Sequence, residues 1–252
     1  MASALARSRK ARLGTELLCE YVFRPAAHVV VLALRPLRVP PPAVVLASTA
    51  AGIAGAVELG RGSLVVAALL VQLKTVLDNA DGQLARLTGR VTAFGRYLDS
   101  ECDLLVNAAL FAALGVQTHR PYVTAFVFVV VTAVLSLNFN LERLARGGAA
   151  SHDTSVLGRL YAVLYGWQDV LIERFVERRS VGRSAYHDSA TVGVMANLGM
   201  STQLTVLGLC LVVGHPLAFA AVALGELLLV VALFVRRELL VEIDSEVVLD
   251  HR

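Results

Sequence analysis

Four aspartates offer the most informative chemistry in the sequence. They fall in the stretch DNADGQLARLTGRVTAFGRYLDSECD as Asp78, Asp81, Asp99 and Asp103. Asp78 and Asp81 are three apart and share a helix face, and Asp99 and Asp103, four apart, share a face of the next helix. A turn containing Gly89 and Gly95 brings the two faces together, so that four carboxylates converge. The apolar run Ser63–Leu77 just before them covers about 22 Å as a helix at ~1.5 Å per residue. A hydrocarbon core is ~30 Å thick, which puts Asp78 and Asp81 at or just below a membrane boundary.

Four clustered negative charges at that depth repel one another unless something compensates them. Divalent cations do so directly. An all-oxygen donor set suits Mg²⁺ or Mn²⁺, and two such ions ~3.5–4 Å apart form a clamp for phosphoryl chemistry. The neighbouring residues fit a phosphate-containing substrate. Gly82 removes a side chain where a ligand approaches, Ala85 keeps the same face open, and Arg86 offers a guanidinium fork to phosphate oxygens. Gly95, just before the second acidic helix, again allows close approach. The competing reading is a structural polar network in which the acids pair with Lys74, Arg86, Arg90 or Arg96. Lys74, four residues before Asp78, has the spacing of a helical ion pair.

The elements that hold this cluster are set by composition. Of 252 residues, 56% are apolar and 17% charged, against roughly 45–50% and about 25% in soluble globular chains. Mean hydropathy is +0.66. The expected fold is an all-α polytopic membrane bundle of six transmembrane helices plus an N-terminal interfacial amphipathic helix. The six apolar stretches are 42–59, 63–87, 97–118, 121–144, 192–214 and 216–235. The chain divides into a tail and interfacial helix at 1–39, a six-span domain at 40–240 with a long connection at 142–191, and a tail at 241–252. Such apolarity excludes intrinsic disorder. Three cysteines in apolar segments exclude a disulfide scaffold. A net charge of +3 gives no reason to expect a nucleic-acid partner.

Basic residues set the orientation. Of the 23 Lys and Arg, only Arg61 and Arg120 fall on one side and Lys74 within a span. The positive-inside rule then places both termini and the aspartates on the cytoplasmic side of a cell or inner membrane. The basic first dozen residues lack the apolar core and cleavage site of a signal peptide and read as a cytoplasmic tail. Residues 15–37 and 155–179 mix apolar and charged positions at helical spacing, as a helix at the headgroup level or one packed on the bundle's cytoplasmic face does. Trp167 reads as an interfacial anchor.

The acidic stretch resembles the CDP-alcohol phosphatidyltransferase family. Its pattern, D-x2-D-G-x2-A-R-x8-G-x3-D-x3-D, is met at Asp78, Asp81, Gly82, Ala85, Arg86, Gly95, Asp99 and Asp103 with every spacing kept. The resemblance implies a transferase that moves a substituted phosphate from a CDP-linked donor to an alcohol acceptor and releases CMP, in phospholipid biosynthesis. By the same resemblance, Asp78, Asp81, Asp99 and Asp103 bind metal, with Asp103 also the general base. Gly82, Ala85, Arg86 and Gly95 meet the CDP part, and the protein is a homodimer among membrane lipids. CDP-diacylglycerol suits a membrane-level site as donor, while a soluble CDP-alcohol with a lipid acceptor also fits the motif.

The acceptor is unassigned: inositol phosphate, glycerol 3-phosphate and other polyols all fit. The fourth span ends in SLNFNLERLARGG, where the family's polyol-phosphate members carry a Ser-Tyr-x-Arg-Ala-type run. Arg143 and Arg146 there either bind an acceptor phosphate or anchor the span electrostatically. Asn138 and Asn140 either line the acceptor pocket or join helices. Asn107, one turn beyond Asp103, either orients it or bonds to another helix. Glu226 stands alone in the last span, and His152, His187 and Asp188 read as solvated loop residues. Two other function classes compete. A cation transporter needs a polar path, which the apolar runs 63–70, 110–116 and 123–131 do not offer. A catalytically silent scaffold gives no reason for four costly acids.

Overall fold

The computed structural model describes residues 14–146, 156–179 and 187–250, and every element among them is helical. The expectations for the basic N-terminal stretch, His152 and Arg183 lie outside the described residues. A π-helical turn at Cys19–Phe23 leads into α1 (Arg24–Leu34). Then follow α2 (Pro41–Gly60), α3 (Leu64–Thr88), α4 (Ala93–Thr118) and α5 (Pro121–Ala145). A short α6 (Val156–Tyr161) continues through a π-turn, Ala162–Gly166, into α7 (Trp167–Arg179). The chain ends with α8 (Ser189–Ala196), α9 (Met200–Val212) and α10 (Ala218–Asp250).

Four segments are long and apolar enough to cross a membrane: α2, α5, Ser189–Val212 across α8 and α9, and Ala218–Leu240. The protein is an integral membrane protein. Helices α3 and α4, with 25 and 26 residues, have the length of spans but carry the acidic cluster. The expected six spans therefore divide into four by length and composition and two by length alone. Large apolar side chains such as Leu69, Val129, Leu209 and Leu228 are exposed on the outer helix surfaces, where lipid takes the place of a protein core.

Helix α2 packs closely against both α3 and α4, with α9 laid against α3 and α5 against α4. Val71, Val106, Leu110 and Leu114 are buried there. Phe111 packs at a tilt against both Phe128 and Phe219, with ring centroids 5.8 and 5.9 Å away, and ties α4 to α5 and α10. Gly52 lets α2 approach α4: a Cβ there would stand 2.5 Å from Val106 Cγ1.

Three details differ from the sequence reading. Helix α4 begins at Ala93, because Thr92 caps it by accepting a 3.0 Å hydrogen bond from the Gly95 amide. Gly95 therefore lies in the first turn of the acidic helix, not before it. The fifth apolar stretch is two helices broken at residues 197–199. There Asn197 donates to the Thr15 carbonyl and accepts from the Leu17 amide, each at 3.0 Å. Helix α10 runs unbroken past 240 to Asp250.

Candidate active site

Helix α3 ends at Gly89, whose φ of +68° lets the chain reverse in left-handed backbone before α4 returns. The reversal lets carboxylates from the acidic ends of α3 and α4 converge. Carboxylate oxygens of Asp78, Asp99 and Asp103 lie within 4.8 Å of one another. That is the donor set of a hard divalent cation, and these oxygens can hold one. The Asp81 carboxylate is outside this triple. It is buried, and its Oδ2 has no hydrogen-bond partner, an arrangement that a cation beside it would satisfy.

Lys74 supplies the cluster's positive charge. Its side chain is 2% exposed, and its Nζ donates to Asp78 Oδ1 at 2.8 Å and to Asp103 Oδ1. The pair with Asp78 has the expected spacing. The pair with Asp103, reaching from α3 to α4, was invisible in the sequence.

The carboxylates open into a cavity of about 370 Å³. Gly82 and Arg86 line it beside the aspartates, whereas Ala85 and Gly95 do not. Arg86 folds back over Gly82, where a Cβ would meet its Nη1 at 3.1 Å. The opposite wall comes from α5 and α7, with Ser136, Asn138, Glu142 and Asp169. Residues Ala196, Gly199, Met200 and Ser201, at the helix break, close another side. Asp169 and the break were not singled out from the sequence. An acid at a buried position among the apolar residues of α7 was the signal available for the first, and no Pro marks the second.

Arg143 and Arg146 do not line the cavity. Arg143 donates to Asn140 Oδ1 at 2.9 Å and pairs with Glu173, while Arg146 pairs with Glu142. Asn138 lines the cavity, whereas Asn140 is fully buried and donates to Asp169 Oδ1 at 2.8 Å. Asn107 lines the cavity and reaches Met200 Sδ at 3.5 Å, joining α4 to α9. Glu226 has a partner after all, since Gln203 Nε2 donates to its Oε2. Asp188 caps α8, accepting from the Thr191 amide at 3.1 Å.

Clustered carboxylates at a cavity in a membrane bundle are a donor set that could hold a divalent cation. The sequence model of the CDP-alcohol phosphatidyltransferase family matches residues 28–172, and the chain belongs to that family. It is 36% identical over 103 residues to a phosphatidylinositol phosphate synthase of Mycolicibacterium smegmatis, covering 38% of this chain and 46% of that one. It is 38% identical over 61 residues to an archaetidylinositol phosphate synthase of Aeropyrum pernix, covering 24% and 31%. A bifunctional IPC transferase and DIPP synthase of Aquifex aeolicus is 29% identical over 102 residues, covering 40% and 23%. The matched segment spans about half the length, or less, of these curated relatives.

Proposed function

We propose that the protein is a membrane transferase that moves a phosphatidyl group from CDP-diacylglycerol to a polyol and releases CMP. The observation that carries this is the convergence of Asp78, Asp99 and Asp103 at a cavity also lined by Asp81, Gly82 and Arg86. Family membership supports the same reaction type and leaves the cation-transporter alternative without support.

In this reading α3 and α4 cross the membrane as the second and third of six spans. The site and both termini face the cytoplasm, as the distribution of Arg and Lys favours. Asp78, Asp81, Asp99 and Asp103 hold Mg²⁺ or Mn²⁺, which when bound neutralises pyrophosphate charge. Arg86 orients the donor's phosphates across the open face of Gly82. Asp103 accepts the acceptor hydroxyl's proton as that oxygen bonds to the diacylglycerol-linked phosphorus and the bond to CMP breaks. The hydroxyl-, amide- and carboxylate-bearing wall of Ser136, Asn138, Glu142 and Asp169 offers hydrogen bonds to a polyol. The inositol-phosphate names of the relatives favour an inositol-type acceptor.

The test is CMP release by the purified protein from CDP-diacylglycerol with Mg²⁺ or Mn²⁺. The acceptors offered are inositol, inositol 1-phosphate, glycerol 3-phosphate, serine and phosphatidylglycerol. Acceptor-dependent release that EDTA abolishes and Asp103→Asn lacks is the expected result. No release with any acceptor, together with no binding of donor or metal, sinks the proposal.

A further inference from the structure

The cavity has sides of different charge. Among the described residues that line it, the cations are Arg24, at the start of α1, and Arg86 on α3. The facing wall from α5 and α7 carries Glu142 and Asp169 and, among those residues, no cation. The two arginines at the end of α5 are engaged with acids, Arg143 with Glu173 and Arg146 with Glu142.

Asp169 is held in place on that wall. It is 8% exposed, and its Oδ1 accepts from Asn140 Nδ2 at 2.8 Å. Asn140 is fully buried; its Nδ2 also donates to the Ser136 carbonyl at 3.0 Å, and its Oδ1 accepts from Arg143 at 2.9 Å. With both ends of the amide engaged, its orientation is fixed, and so is the side from which it holds Asp169. A further carboxylate, Glu16, stands at the helix break. It is buried, lines the cavity and accepts from the Thr202 amide at 3.1 Å. The N-terminus of α9, an end that attracts anions, is thus taken by an acid of the chain itself. Gly199 leaves the room for it, since a Cβ there would stand 2.8 Å from the carboxylate.

A phosphate monoester held against either of these sides would meet a carboxylate and no cation, and like charges in such a setting repel. A hydroxyl behaves oppositely: it donates to a carboxylate oxygen in a charge-assisted bond. We infer, on the proposed transferase reading, that the acceptor is an unphosphorylated polyol, and that Asp169 is the specificity-determining residue that receives its hydroxyls. The guanidinium groups on α1 and α3 are then left to the phosphates of the CDP-linked donor.

The test offers matched acceptors, inositol against inositol 1-phosphate and glycerol against glycerol 3-phosphate. CMP release from CDP-diacylglycerol with Mg²⁺ is measured on the full chain in detergent. The neutral member of a pair should have the higher kcat/KM, by about tenfold or more. Asp169→Asn keeps the shape and can still accept from Asn140. It should raise KM for the neutral acceptor about tenfold, narrow the preference within the pair and leave KM for CDP-diacylglycerol unchanged. Equal or better use of the phosphorylated members overturns the inference and leaves the transferase standing, as does release supported only by serine or phosphatidylglycerol. An Asp169→Asn protein with the wild-type preference and acceptor KM overturns the role of Asp169. If that variant does not fold, the wild-type ratio decides. No release with any acceptor, together with no binding of donor or metal, ends the transferase reading and this inference with it.

Discussion

Two of the places where the molecule buries acids have opposite surroundings. At the ends of α3 and α4, three carboxylates crowd within 4.8 Å around one lysine, a fourth has an unpartnered oxygen, and a cavity opens in front of them. Between α9 and α10, Glu226 is buried, Gln203 donates to it and it lines no part of that cavity. Both look alike in the sequence, as acids within apolar runs. The difference lies in the ratio of carboxylates to partners. One amide to one carboxyl group is a local cross-link between helices, and it stabilises. Four carboxylates against the Lys74 ammonium and the Arg86 guanidinium are under-compensated, and a cation entering the cavity would relieve them.

The comparison breaks most sharply at Asp103. Asp103→Asn should lower CMP release by about 10²–10⁴-fold, the range for loss of a general base. The thermal midpoint should not fall with it, because the cluster loses a repelling charge and Lys74 keeps Asp78. Activity and melting measured on one preparation check this. A variant that loses both together would make the acidic site structural, like the other region.

Glu226→Leu tests the other half. It leaves the Gln203 amide buried without its acceptor, in a residue whose Oε1 already lacks a partner. The expected loss of stability is about 1–3 kcal/mol, read from thermal unfolding in detergent. CMP release per folded molecule should be unchanged. A large drop in turnover with unchanged melting would move Glu226 into the functional class.

Gly82→Ala should have a smaller effect and sharpen the account of the donor. The new Cβ meets only the mobile end of Arg86, at 3.1 Å, so the fold tolerates it. Displacing the guanidinium should raise KM for the CDP donor several-fold, by about 1 kcal/mol of lost binding, with kcat little changed. Steady-state kinetics over a range of CDP-diacylglycerol separates the two constants.

These contrasts also show where the sequence was legible. Pairs within a turn were readable: Asp78 with Asp81, Asp99 with Asp103, Lys74 with Asp78. Helix periodicity alone puts them on one face. The turn between the acidic helices was readable from glycine, and the spans from apolar runs. What escaped depends on contacts distant in sequence. Lys74 meets Asp103 29 residues away, Gln203 meets Glu226 23 away, and Leu17 meets Asn197 180 away. No periodicity encodes those. The start of α4 was misjudged because an N-cap threonine outweighs the glycine that follows it: the cap satisfies the Gly95 amide and pulls that residue into the helix. The break at residues 197–199 is capped by Asn197 and Gly199 and held by Thr15 and Leu17, so its local signal was the Asn-Leu-Gly run and its hold lies far away in sequence.

The acceptor wall yields the smallest and most discriminating effect. Arg143 and Asn138 are neighbours on α5, and the sequence offered both as acceptor contacts. The structure separates them. Arg143 is held by Asn140 and Glu173 away from the cavity, and Asn138 faces into it. Arg143→Ala should therefore leave KM for the acceptor within about threefold and cost about 1 kcal/mol of stability. Asn138→Ala should raise acceptor KM more, by roughly tenfold for one hydrogen bond lost from a bound hydroxyl, and leave melting in place. The ordering is the test, since both changes shorten a polar side chain on the same helix. If Arg143→Ala proves the more damaging to acceptor KM, the guanidinium leaves Glu173 when substrate binds, and the acceptor carries a negative charge for it to meet.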